Sequence, residues 1–146
     1  MATVPRIGLA PRLRLFAGIV FGLLALSGAG WLLLHYLLAR PGEFGVLRHP
    51  LEAPVLTAHG VFAMLAIYVS GWIGARHAQE GWMWPARRIS GVALAATLMV
   101  AAVSGVAQFF LAAEGAQAIN TLVHEIAGVL LVVALAGHWR RKPPRQ

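Results

Sequence analysis

The chain has 146 residues, of which 59% are hydrophobic and only 12% are charged. These values exclude an ordinary soluble domain, which needs a charged surface, and predict an integral membrane protein. The chain has no cysteine, which excludes disulfides, thiolate metal sites and cysteine-held iron–sulfur clusters. The formal charge of +7 lies largely in residues that flank apolar segments, which argues against nucleic acid as a partner.

Four apolar segments predict four transmembrane helices, at about residues 15–39, 55–77, 88–113 and 118–141. The first segment exceeds the core of a secretory signal, about 7–15 residues, so we interpret it as a retained helix. A structured outer loop is predicted at 40–54, and a second loop at 79–84. No strand is predicted, and no phosphate-binding loop or hydrolytic motif is recognised. The fold class is therefore all-α, with residues 1–146 forming a single membrane domain.

Most basic residues lie on one side of the predicted four-helix bundle. In an up-down-up-down order, the N-terminus, the second loop and the C-terminus share a side and carry three, three and four of the 12 Lys and Arg residues. The positive-inside rule then places both termini in the cytoplasm. We therefore predict a multi-pass protein of the bacterial inner membrane, surrounded by lipid.

Two of the predicted helices carry a histidine near each end. His59 and His77 lie 18 residues apart on helix 2, and His124 and His138 lie 14 apart on helix 4. At about 100° and 1.5 Å per residue, each pair shares one helix face, with about 27 Å and 21 Å between its members. Because these helices run in the same direction, His59 and His124 form an outer pair, and His77 and His138 an inner pair. A haem b iron takes two axial ligands, so the arrangement predicts two haems.

Small and basic residues accompany these histidines. Arg76 and Arg140 lie near the inner pair and are candidate contacts for haem propionates. Three glycines leave room for a porphyrin edge: Gly60, Gly128 and Gly137. Helix 3 has no histidine, and its serines are interpreted as packing residues.

Two further histidines lie toward the outer side. His35, at the end of helix 1, is predicted either to replace a member of the outer pair or to lie beside the haem as a propionate or quinone partner. His49 precedes Pro50 in the outer loop and is interpreted as a surface histidine.

Five segments of the chain have counterparts in a known family. They are W-L-L-L-H-Y (Trp31–Tyr36), G-E-F-G (Gly42–Gly45), H-P-L-E-A-P (His49–Pro54), A-H-G-V-F-A-M (Ala58–Met64) and V-H-E-I-A-G (Val123–Gly128). In these segments the chain resembles a family of small bacterial membrane proteins with a cytochrome b-like plan. The four helices, with the spaced histidines of helix 4, also resemble the membrane cytochrome b subunits of respiratory formate dehydrogenases and nickel–iron hydrogenases.

The resemblance to these subunits implies two haems b that pass electrons between a larger periplasmic or membrane redox protein and a quinone or cytoplasmic acceptor. His59, His124 and His138 match liganding positions of that pattern. The larger enzymes place the remaining ligand near the cytoplasmic end of helix 1, where residues 12–16 of this chain contain no histidine. Either His77 takes that place or the chain holds one haem.

The leading hypothesis is a di-haem b membrane cytochrome, an electron-transfer subunit rather than a stand-alone enzyme. One alternative is a transition-metal carrier or sensor that uses the outer histidines and the adjacent Glu125, which leaves the inner histidines unexplained. Another is a non-catalytic membrane anchor or assembly subunit, which predicts no cofactor.

Overall fold

Four long apolar helices dominate the computed structural model, which describes residues 9–43, 45–82 and 85–140. Each contains a segment long and apolar enough to cross a membrane: Pro11–Leu37, Glu52–Ala75, Arg88–Ala107 and Glu114–Arg140. A mostly helical chain with four candidate membrane spans is therefore confirmed.

The helices begin where the local sequence favours a helix start. Helix α1 spans Pro11–Leu32, with proline in its first turn, and continues into one wide π-helical turn, Leu33–Leu37, here called the π-turn. Helices α2 (Glu52–Trp82) and α4 (Glu114–Arg140) begin with an acidic residue, which interacts favourably with the helix dipole. Helix α3 spans Pro85–Ala107.

Helix α2 is longer at both ends than predicted. It begins at Glu52 and continues beyond His77 to Trp82, so that residues 79–82 are helical rather than part of a loop. The segment after His77 contains Ala, Gln and Glu, which favour a helix although they are less apolar than the membrane span. The rest of the predicted loop, residues 83–84, lies outside the described residues.

The connection between α3 and α4 lies earlier in the chain than predicted. Helix α3 ends at Ala107 rather than near residue 113, and α4 begins at Glu114 rather than near residue 118. After α3 the chain forms a tighter turn, in which the amide of Phe110 donates to the carbonyl oxygen of Ala107 at 3.0 Å.

The outer loop contains a small hairpin that corrects the prediction of a chain without strands. Strand β1 (Arg40–Gly42) pairs in antiparallel register with β2 (Gly45–Leu47). Gly45 has a φ of 124°, a conformation that L side chains rarely adopt. Strands of three residues are too short to show the alternation by which strands are recognised.

Contacts within the chain divide it into two compact units. The N-terminal unit, Leu9–Trp72, holds α1, the π-turn, the hairpin and most of α2. The C-terminal unit, from Ile73 onward, holds the end of α2 with α3 and α4. That the chain forms one membrane domain stays a prediction.

Few of the described side chains are buried within either unit. Among the residues whose burial the structure describes, those buried in the N-terminal unit are Ala17, Val20, Leu34, Ala66 and Val69, and those buried in the C-terminal unit are Ser104, Ala127 and Leu131. Large apolar side chains are instead exposed, including Leu26 (71%), Met64 (74%) and Phe109 (87%). Such a surface is compatible with a lipid environment.

Candidate cofactor-binding histidines

His59 lies on α2 with its imidazole held against α1. Its Nδ1 is 3.2 Å from the carbonyl oxygen of Leu24 and 3.1 Å from Oγ of Ser27. The Ser27 hydroxyl donates its own hydrogen to the Leu24 carbonyl oxygen at 3.0 Å. Since a carbonyl oxygen only accepts, the proton of the neutral imidazole lies on Nδ1, and the lone pair lies on Nε2.

Gly28 allows this close approach of the imidazole to α1. A Cβ atom at this position would lie 3.0 Å from Cε1 and 3.3 Å from Nδ1 of His59. Any larger residue would therefore require the ring to shift away from the Ser27 hydroxyl and the Leu24 carbonyl.

His124 has the same surroundings within the C-terminal unit. Its Nδ1 is 3.0 Å from the carbonyl oxygen of Ala101 and 3.1 Å from Oγ of Ser104, a buried residue of α3. The Ser104 hydroxyl donates to the carbonyl oxygen of Val100 at 2.7 Å, so that it accepts from Nδ1. A Cβ atom at Gly105 would lie 3.0 Å from Cε1 of His124. The proton of this imidazole is therefore also on Nδ1.

We call this repeated arrangement a serine–histidine clamp: a Ser-Gly pair on one helix and a histidine on the next, with Nδ1 bonded to the serine hydroxyl and to a backbone carbonyl. The two clamps are Ser27-Gly28 with His59 and Ser104-Gly105 with His124. Their serine and histidine are 32 and 20 residues apart, respectively. The longer separation includes the β1–β2 hairpin. Neither clamp was predicted from the sequence, although each serine precedes a glycine.

The structure brings the inner pair together. The ring centroids of His77 and His138 are 6.1 Å apart, with their planes nearly perpendicular at 88°. Nδ1 of His138 is 3.1 Å from Oγ of Ser90 on α3, so a serine contacts this histidine as well. His77, the histidine for which the sequence provides the fewest arguments, thus lies beside its predicted partner.

His35 is bound by charged side chains of its own unit. Its Nδ1 lies 2.7 Å from Oε1 of Glu52, and since a carboxylate only accepts, Nδ1 carries the proton. Nη1 of Arg48 lies 2.9 Å from Nδ1 and 3.1 Å from Nε2 of the same ring. Glu52 and Arg48 therefore both contact the imidazole of His35. His49 instead accepts the amide of Leu51 at 3.2 Å, a local contact before α2.

The remaining predicted residues are placed as follows. Arg140 is exposed at the end of α4, and the side chain of Arg76 lies outside what the structure describes. A Cβ atom at Gly60, Gly128 or Gly137 would meet no atom of the described residues within 4 Å, so there is open space beside each glycine.

Across residues 9–43, 45–82 and 85–140, the structure shows no group of three or more histidine and acidic side chains that could hold a metal ion. The metal-carrier hypothesis stays a prediction.

Comparisons of this chain with models of known protein families, with curated proteins and with solved structures find no match. The function must therefore be inferred from the chemistry of the histidines and from the helices that hold them.

Proposed function

We propose that this chain is a di-haem b cytochrome of the bacterial inner membrane. His59 and His124 would hold an outer haem through their imidazoles, and His77 and His138 would hold an inner haem. The observation that carries the proposal is the serine–histidine clamp, because it fixes the proton of His59 and of His124 on Nδ1 and the lone pair on Nε2.

The clamps fit what a metal-bound imidazole needs. Histidines that bind metals commonly donate their second ring N–H to a backbone carbonyl or a similar acceptor, which fixes the tautomer and makes the ligand more basic. His59 and His124 donate in this way to carbonyl oxygens at 3.2 Å and 3.0 Å. Each ring also lies directly against a glycine, so its orientation is fixed by the backbone.

The short distance between the two inner histidines also supports the proposal. Two imidazoles that share one metal ion must lie side by side, since each metal–nitrogen bond is only about 2.0–2.1 Å long. The centroids of His77 and His138 are 6.1 Å apart. This proximity would allow His77 and His138 to share one inner haem.

The remaining parts of the proposal concern the membrane and the partners. The four spans cross in an up-down-up-down order with both termini in the cytoplasm, as the distribution of basic residues favours. Haem b, when bound, supplies a one-electron carrier. The chain would supply the imidazoles that hold this carrier, so we propose an electron-transfer subunit between a larger periplasmic or membrane redox protein and a quinone or cytoplasmic acceptor.

The optical spectrum of the purified protein tests this proposal. Protein from haem-replete cells, purified in mild detergent, should be red and show the alpha band of haem b in a reduced-minus-oxidised difference spectrum. A colourless preparation would reject the proposal and favour the non-catalytic anchor.

The clamp serine gives a more specific prediction. We expect Ser104→Ala to weaken haem retention by about 10–100-fold, the usual cost of losing an outer-shell partner. The midpoint potential of the outer haem should rise, because an imidazole with one acceptor fewer is less basic and stabilises oxidised iron less. Haem release and redox titration measure the two effects.

Two variants control this prediction. Ser104→Thr keeps the hydroxyl and should restore both values toward the wild type. Ser70→Ala removes a hydroxyl that donates to the carbonyl oxygen of Ala66 on its own helix, and it should change neither value. Equal effects of Ser104→Ala and Ser70→Ala would show that the clamp has no influence on a bound cofactor.

A further inference from the structure

Helix α3 carries no histidine, yet it contacts both histidines of α4. Oγ of Ser104 lies 3.1 Å from Nδ1 of His124, and Oγ of Ser90 lies 3.1 Å from Nδ1 of His138. The two serines are 14 residues apart on α3, and the two histidines are 14 residues apart on α4. The later serine meets the earlier histidine, so the two helices run antiparallel and keep one register between these contacts.

This register places the two serines on one face of α3. Seven residues make nearly two turns of an α-helix, so Ser90, Thr97 and Ser104 follow one another along the same face. The hydroxyl of Thr97 donates to the carbonyl oxygen of Ala93 on its own helix at 2.9 Å. Midway between the two histidines of α4 lies Leu131, which is buried. An apolar position therefore separates two polar contacts of the same kind.

The direction of the Ser90 hydrogen bond follows from the other serines of the chain. Three of its four serines donate their hydrogen to a carbonyl oxygen of their own helix at 2.6–3.0 Å, namely Ser27, Ser70 and Ser104. Serine hydroxyls inside helices commonly bond to the backbone one turn earlier. A hydroxyl has a single hydrogen, so a Ser90 side chain bonded in this way can only accept from His138.

We propose that Ser90 accepts a hydrogen bond from Nδ1 of His138 and is a positioning residue for this histidine. The proton of the neutral imidazole then lies on Nδ1 and the lone pair on Nε2, as in the clamp that holds His124. Helix α3 thereby holds both histidines of α4 in the same tautomer. What this means for a bound haem rests on the proposed function, whereas the position of the proton does not.

The glycines beside the two serines differ in their contacts. A Cβ atom at Gly105 would lie 3.0 Å from Cε1 of His124, whereas one at Gly91 would meet no atom of the described residues within 4 Å. The ring of His138 is therefore not held against the backbone of α3 at Gly91. Its orientation depends more on the hydroxyl of Ser90 than the orientation of His124 depends on its serine.

Nuclear magnetic resonance of the full chain tests the position of the proton. The protein carries isotope-labelled histidine and is reduced in detergent, so that the iron of a haem held by two histidines is diamagnetic. The signals of His138 are those that disappear in His138→Ala. We expect the proton on Nδ1, with slow exchange against solvent because the hydrogen bond to Ser90 protects it.

Variants of α3 assign this protection to one hydroxyl. Ser90→Ala removes the acceptor and should speed exchange of the His138 proton about tenfold. Ser90→Thr keeps a hydroxyl and should restore the slow exchange. Thr97→Ala is the matched control, because it removes a hydroxyl of the same helix face that donates to the Ala93 carbonyl, and it should exchange as the wild type does.

The outcomes separate this inference from the proposed haem sites. A proton on Nε2 of His138 in the wild type would overturn it without any variant, and so would equal exchange in Ser90→Ala and Thr97→Ala. In protein that holds two haems, Ser90→Ala should raise the midpoint potential of the inner haem alone, and an equal shift of both would contradict the assignment. A colourless protein in which Ser90→Ala speeds the exchange would reject the haem proposal and support this one.

Discussion

His124→Ala is expected to lower the haem b content of the purified protein from about two per chain to about one. The methyl group of alanine cannot bind iron, and the clamp formed by Ser104 and the Ala101 carbonyl would hold no imidazole. The inner pair is unaltered by this change, so its haem should remain. The haem-to-protein ratio and a redox titration with a single remaining midpoint measure the result.

Variants at the other outer histidines show which residue completes the site. His59→Ala should remove the same haem, and the double variant with His124→Ala should lose no more haem than either single variant does. His35→Ala is the matched control, because His35 is held by Glu52 and Arg48 and should not be a ligand. Loss of haem from His35→Ala but not from His59→Ala would move the outer ligand from α2 to the π-turn.

His138→Ala should remove the inner haem and leave the spectrum and midpoint potential of the outer haem unchanged. His77→Ala should have the same effect, because the rings of these two residues lie 6.1 Å apart and each would lose its partner. Redox titration of the alpha band, which resolves two haems by their potentials, measures which of them is lost.

The matched control for the inner site is His49→Ala. His49 makes a local contact with the amide of Leu51 and should affect neither haem. If His77→Ala retained both haems with both midpoint potentials, the inner pairing would be wrong. His138 would then need another partner, or the chain would hold a single haem.

The apolar segments were sufficient to predict the number of helices but not all of their ends. Hydropathy identifies the part of a helix that is apolar enough for lipid. Helix α2 continues beyond that part to Trp82, through a segment that includes Ala78, Gln79 and Glu80, which favour a helix. At α3 the opposite occurs, since the chain turns after Ala107 although Phe109 and Phe110 remain apolar. The position of a helix end depends on backbone hydrogen bonds, and the mean hydropathy of a segment does not indicate where those bonds stop.

The histidines were identified from the sequence, but most of their partners were not. Spacing along a single helix shows which residues share its face. With the direction of the helices it grouped His138 with His77, and the rings of these two residues lie 6.1 Å apart. The contacts of Ser27 with His59 and of Ser104 with His124 depend on the register between two helices. Apolar periodicity does not determine that register, so these serines were interpreted as packing residues.

The contacts of His35 illustrate a different limit. His35 and Glu52 are 17 residues apart, with a hairpin between them, and they meet only because the chain reverses direction there. Neither the hairpin nor the π-turn has a recognisable sequence pattern, since both are short and depend on local hydrogen bonding. The prediction that His35 is a haem ligand or lies beside a haem or quinone stays a prediction.

The ratio of haem b to protein, measured on the full chain purified from haem-replete cells, tests the proposed function most directly. Four histidines in two pairs predict a ratio near two, with bound haem giving the alpha band of haem b on reduction. A colourless protein with a ratio near zero would contradict the assignment of His59, His77, His124 and His138 as haem ligands.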